Sequence, residues 1–143
     1  MTDPPLVLVD VDVILDVLTR RERFVTDSTA LLAACETGRC RGMVAAHTVT
    51  TVSYLLEKHR DAAYARRQLA ELLRILQVAS VDAEVIDRAL TSAFGDFEDA
   101  VQMAAAVAAG ADYVATRNVK DFSAGPLPAI TPAELLPLLR PGV

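Results

Sequence analysis

Apolar residues in this chain fall into short unbroken runs separated by longer stretches of helical spacing. Leu6 to Val9 is a continuous apolar run ending on Asp10 and reads as a buried strand, with a short helix predicted over Val13 to Leu18. A second helix is predicted over Thr26 to Glu36, with Leu31, Leu32 and Cys35 on its apolar face and Gly38 as its stop. Gly42 to Ala46 is a second strand. His47 to Leu56 opens a third helix, where Val52, Leu55 and Leu56 recur at helical spacing and Thr48 or Thr50 can cap the first free N–H groups. A long amphipathic helix follows over Asp61 to Leu76, with Leu69, Leu72, Leu73 and Leu76 inward and Arg66, Arg67 and Glu71 outward. Gln77 to Val81 is a weaker strand, and Ala83 to Phe94 another helix.

The stretch from Gly95 to Phe122 is chemically the most informative. Asp96 and Asp99 open an alanine-rich helix, Gly110-Ala111 breaks it, and a short apolar strand ends in a polar tip carrying Thr116, Asn118 and Asp121. Pro126 and Pro128 then mark a loop, Ala129 to Thr131 an edge strand, and Pro132 suits the first turn of a last helix through Leu135 to Leu139. Strands alternating with helices at this spacing predict a parallel sheet with helices on both faces. Ligands of such sheets sit beyond the carboxyl ends of the strands. Two acidic strand tips, at Asp10 and at Asn118/Asp121, point to a shared cation.

A chain of 143 residues with 52% hydrophobic residues suits one domain with a real core. Its apolar runs are too short or too interrupted to span a membrane. No basic segment precedes the first apolar run, and Asp10 and Asp12 interrupt it, so no secretory signal is read and a cytoplasmic location is expected. Cys35 and Cys40 lack a second Cys/His pair to complete a zinc site. His47 and His59 stand near no nucleophile or ligand repeat, and read as a rim or packing residue and a surface residue respectively. The net charge of -5 argues against broad, sequence-independent binding to nucleic acid. Local basic groups remain, and Arg20, Arg21, Arg117 and Lys120 are the candidates for contact with RNA.

Asp10 and Asp99 can offer oxygen ligands to a hard divalent cation such as Mg²⁺ or Mn²⁺, with Asn118 and Asp121 completing the shell directly or through water. Phosphodiester hydrolysis suits such a site. Taken singly, each acid has a simpler explanation, since carboxylates at helix starts are favoured by the macrodipole at about 0.3–1 kcal/mol each. Convergence decides between the readings, because two carboxylates a few ångströms apart repel by roughly 4 kcal/mol at an effective dielectric constant near 20 unless a cation intervenes.

VDVDVILDVL and DFEDAVQMAAAVAAGADYVATRNVKDF together resemble the opening and closing signatures of the PIN domain. The resemblance implies a 1–143 PIN-like unit, a three-layer α/β/α fold with a central parallel sheet of about four or five strands, and a Mg²⁺- or Mn²⁺-dependent ribonuclease. It further implies a VapC-like toxin that acts on RNA, forms a homodimer and is restrained by an antitoxin protein. Carried over by position, Asp10, Asp99 and Asn118 are the catalytic set, the same three with Asp121 hold the metal, and Asp12, Asp96, Thr51 and Thr116 support them. Thr51 stands where most members place a glutamate and offers only a neutral hydroxyl.

Two rivals accompany this reading. Asp10-Val11-Asp12-Val13-Ile14 also looks like the start of a haloacid-dehalogenase-type phosphatase, with Gly95 to Asp99 mimicking its late acidic motif. A PIN fold that binds RNA or a protein without catalysis is the other, and Thr51 is the residue that favours it.

Overall fold

The computed structural model describes residues 3–141; residues 1, 2, 142 and 143 of the expected unit lie outside them. Five parallel strands form one sheet in the order β3-β2-β1-β4-β5, built from β1 (Leu6–Val9), β2 (Arg41–Ala45), β3 (Leu76–Ala79), β4 (Tyr113–Ala115) and β5 (Ala129–Ile130). Helices α1 (Val11–Leu18), α2 (Val25–Glu36), α3 (Ala46–His59), α4 (Ala62–Ile75), α5 (Ala83–Leu90), α6 (Phe97–Ala109) and α7 (Pro132–Leu135) cover it. One apolar cluster joins α1 to α4 and α7 to Val7, Val9 and Val44, and a second joins α5 and α6 to Leu6, Leu8 and Met43. This is the expected three-layer α/β/α arrangement.

All four β1 side chains are buried, two toward each helical layer, which explains why the run shows no alternation of polar and apolar residues. Burying each such Val or Leu contributes about 1.5–3 kcal/mol. The sheet order reverses at β1: the chain moves outward through β2 and β3, then returns to β4 on the other side. Asp112 Oδ2 fastens that return by accepting from Leu6 N at 2.8 Å.

Helix α6 is buried without interruption from Ala100 to Ala106. Alanine suits both demands, since it has the highest helix propensity and its small side chain lets the helix lie close on the sheet. Asp96 caps the helix by accepting from Asp99 N at 3.0 Å, and Gly110 ends it at φ 78°, a left-handed conformation that glycine adopts freely.

Several boundaries and faces differ from the sequence reading. The fifth helix stops at Leu90, not Phe94, and Thr91 and Ser92 turn their hydroxyls back onto its last carbonyls. The final helix is shorter and earlier, Pro132–Leu135, and continues as a 3-10 turn over Leu136–Leu138. Leu73, read as inward, is 37% exposed, because a stripe of adjacent leucines is wider than the face that packs inward. Thr48 and Thr50 do not cap α3: the helix starts directly off β2 at Ala46, which leaves both threonines inside its first turns. Cys35 and Cys40 are free thiols whose sulfurs lie 3.2 Å apart, above Gly42.

Candidate active site

The carboxyl ends of β1 and β4 lie side by side, with Asp10 N bonded to Ala115 O at 3.0 Å, and this is where the sheet order reverses. The residue after β1 is Asp10, at the N-cap position of α1. It makes no side-chain cap. Its carboxylate instead turns inward, where Gln102 Nε2 donates to Oδ1 at 2.9 Å and Thr116 Oγ1 donates to Oδ2 at 2.8 Å. Burial raises the Asp10 pKa, the two hydrogen bonds oppose that rise, and Asp12 adds to it.

Around Asp10, a cleft of about 320 Å³ is lined by Asp12, Asp96, Glu98, Asp99, Asn118 and Asp121. Asn118 is oriented at both ends: its N–H donates to Thr116 Oγ1 at 3.0 Å and its Nδ2 to Asp12 Oδ2 at 3.1 Å. Asp99 is pushed up to about 7, first by burial and then by Asp96, Asp10, Asp121 and Glu98. Burial, Asp96 and Asp12 raise Glu98 too, while the Thr51 hydroxyl pulls it down. The structure thus brings Asp10, Asp12, Asp96, Asp99, Asn118 and Asp121 to one cleft, with Thr116 holding Asp10 beneath it and Thr51 at its rim beside Glu98.

The donors suit a hard divalent cation in kind, being oxygen throughout, and in charge, since burial and then the repulsion of neighbouring carboxylates raise Asp99 to about 7 and a cation would relieve the repulsive part. They do not form a closed cage. Among the described residues, no three His, Cys, Asp or Glu side chains converge tightly enough to hold an ion unaided. An ion that keeps several waters fits such an open shell.

The basic candidates divide. Arg117 is turned inward, with Nε 3.2 Å from Oδ2 of the fully buried Asp16 and its guanidinium 4.2 Å above the Phe24 ring. Arg21 stands 3.6 Å from Asp16 and 3.7 Å from Asp12. Arg20 is exposed at the left-handed turn after α1, at φ 51°. Lys120 is exposed and lines a hollow that adjoins the cleft through Asp96, Asp99 and Asp121.

Two residues of the site were not picked out from sequence. Gln102 is the lone polar side chain in Ala100 to Ala109, and a fully buried amide on an alanine face needs a polar partner; that oddity was the available signal. Glu98 gave none, because acids at helix starts are ordinary. The phosphatase rival loses its late motif: Gly95 to Asp99 follows a helix and a turn, not a strand. His47 lies beside Glu98, and burial lowers its pKa against an opposing contact with the Glu98 backbone. Among the described residues, no helix is long and apolar enough to cross a membrane.

Comparison with known proteins found no match among curated proteins. Among solved structures, the fold resembles that of VapC20 of Mycobacterium tuberculosis, a toxin that cleaves the sarcin-ricin loop, at 19% identity and TM-score 0.66 over 82% of this chain and 93% of that one. It also resembles FitAcB from Neisseria gonorrhoeae, at 19% identity and TM-score 0.69 over 89% of this chain and 98% of the other. VapBC2 from Rickettsia felis, bound to a DNA fragment from its promoter, matches at 13% identity and TM-score 0.63 over 87% and 96%. The family model described as the PIN domain matches residues 6–120, most of the sequence, and the chain belongs to the PIN domain family.

Proposed function

We propose that this protein, working as one PIN-like domain, is a metal-dependent endoribonuclease that hydrolyses RNA phosphodiester bonds, and that it is the toxin of a toxin–antitoxin pair. The observation that carries this is the convergence of Asp10, Asp99, Asn118 and Asp121 on one cleft, with Asp99 raised to about 7 by burial and then by its acidic neighbours. Asp10, Asp99 and Asn118, with Asp121 close by, are the residues that would hold Mg²⁺ or Mn²⁺. The bound ion would supply charge neutralisation at the phosphate and a more acidic water. Gln102 and Thr116 fix the Asp10 carboxylate, and Asp12 fixes the Asn118 amide, so the donors are oriented before substrate arrives. Lys120, which lines the adjoining hollow, is the exposed cation that would meet RNA phosphates there, and Arg20 is a second exposed candidate.

The toxin reading is supported by the fold shared with VapC20 and with FitAcB. An antitoxin protein, a homodimer and a cytoplasmic setting accompany it. The test is incubation of a cellular RNA pool with purified protein and Mg²⁺ or Mn²⁺, beside EDTA and Asp99→Asn controls. Discrete fragments that vanish in both controls are expected. Intact RNA in every lane, with folded and partner-free protein, would instead support the second reading, a binding module without catalysis, which the neutral Thr51 side chain favours.

A further inference from the structure

Helix α2 ends in a turn that leads straight from one cysteine to the other. Gly38 takes the left-handed conformation at φ 81°, open to a residue without a Cβ, and there the chain reverses. Arg39 N bonds to Ala34 O at 2.9 Å, and inside that bond Gly38 N reaches Cys35 O at 3.3 Å. This nested pair is the Schellman closure of a helix, and it fixes the backbone between the cysteines. Cys40, the next residue, is thereby laid back over the last turn of α2, where its sulfur meets that of Cys35 at 3.2 Å. Gly42 leaves room for the contact, since a Cβ there would stand 2.7 Å from Cys35 Sγ. Cys40 is 1% exposed and Cys35 half-buried, both packed in the apolar layer of α1 to α4. The pair sits at the start of β2, whereas the acidic cleft lies beyond the carboxyl ends of β1 and β4, at the opposite end of the parallel sheet.

We propose that Cys35 and Cys40 are an oxidation site that takes a peroxide as co-reactant and closes to a reversible disulfide, stapling the end of α2 to the start of β2. The site is separate from the cleft and stands whatever reaction the cleft performs. A disulfide holds its sulfurs about 2.0 Å apart, so the two close by about 1 Å from where the turn places them. The hydrogen bond from the Cys35 thiol, helped by Arg39, lowers the Cys40 thiol against burial, so Cys40 carries the thiolate. Hydrogen peroxide is little larger than water and enters on the side of Cys35, the more exposed of the pair. The Cys40 thiolate attacks it: an S–O bond forms, the O–O bond breaks, and hydroxide leaves and takes up a proton. Cys35 then gives up its proton and attacks the Cys40 sulfur, so that the S–S bond forms, the S–O bond breaks and the oxygen leaves as water. Two thiols and one peroxide give one disulfide and two waters. A dithiol reverses the step by exchange, and in a reducing compartment the thiol pair is the resting form.

The experiment treats the purified full chain with a small excess of hydrogen peroxide, blocks the remaining thiols with N-ethylmaleimide under denaturing conditions and weighs the intact protein. Folded wild type is compared with Cys35→Ser and with wild type oxidised in urea. Folded wild type is expected to lose about 2 Da as a monomer, to take up no maleimide, and to recover two reactive thiols with dithiothreitol. Oxidation should raise its Tm by about 4–8 °C, the effect of a short closed loop, and leave that of Cys35→Ser unmoved. Two maleimide-reactive thiols in folded wild type, under peroxide that oxidises the chain in urea, would overturn the inference. Chain-to-chain disulfides, or a gain of about 32 Da from a sulfinic acid, would do the same, because the sulfurs would then react without each other. A lower Tm in the oxidised protein would also overturn it, since the bond would form only by breaking the turn.

Discussion

Gln102 Nε2 donates to Asp10 Oδ1 at 2.9 Å across 92 residues of chain, and both side chains are closed off from solvent. The bond ties the alanine-rich helix to the strand tip at the centre of the sheet. Replacement by leucine keeps most of the volume and leaves a buried carboxylate oxygen without its donor, which costs about 1–3 kcal/mol. Urea denaturation of Gln102→Leu is expected to show that loss, with RNA cleavage falling further than stability alone explains. An unchanged midpoint would mean that Asp10 finds its donor elsewhere.

Asp99 links the cleft to pH. Its folded pKa of about 7 lies above the ordinary 3.8, so between those values the folded metal-free chain holds a proton that the unfolded chain has lost. The associated stability is full below about pH 4 and is lost as pH rises through 7. Melting curves of metal-free protein should therefore fall over that window more steeply for wild type than for Asp99→Asn. At pH 8, Mg²⁺ should raise the wild-type Tm and leave that of Asp99→Asn nearly unmoved. Parallel curves for the two proteins would refute this account of the site.

Arg117 holds a different carboxylate. Asp16 is fully buried and meets Arg117 at 3.2 Å, with Arg21 at 3.6 Å and Ser28 Oγ donating at 3.3 Å. Loss of the nearer guanidinium strands a buried charge, and Arg117→Ala is expected to lose roughly 3 kcal/mol. Asp16→Asn in the same background should restore part of it. A stable Arg117→Ala protein with weakened RNA binding would show the residue to be a surface contact instead.

Gly42 tests packing away from the cleft. A methyl group there would overlap Leu76 Cδ2 and come 2.7 Å from Cys35 Sγ, so the Leu76 and Cys35 side chains must give way. Gly42→Ala is expected to cost about 1–3 kcal/mol in chemical denaturation with cleavage per folded molecule unchanged.

How far these features were legible in the sequence depends on what encodes them. Leu6 to Val9 was readable to the residue because a strand buried on both faces leaves an unbroken apolar run. The end of α5 was not, since hydroxyls of Thr91 and Ser92 stop it while apolar spacing continues to Phe94. Asp10, Asp99, Asn118 and Asp121 could be named because their residue types and their positions at strand tips or, for Asp99, at a helix start are local facts. Their partners could not: Gln102 meets Asp10, and Asn118 meets Asp12, only after the chain has folded back over 92 and 106 residues. The same distance hid the inward turn of Arg117, which sequence alone offers as an ordinary surface cation.

The reversal of strand order at β1 also governs when the cleft can exist. Asp10 leaves the ribosome early, yet the strand that flanks it on one side ends at Ala115, and the amide that completes the cleft is at position 118. Half-translated chains have Asp10 without Thr116, Gln102 or Asn118, and so have no preformed place for a cation or a phosphate. The order of synthesis therefore acts as a delay: the cleft cannot assemble until the stretch up to Asp121 has emerged and found the central strand.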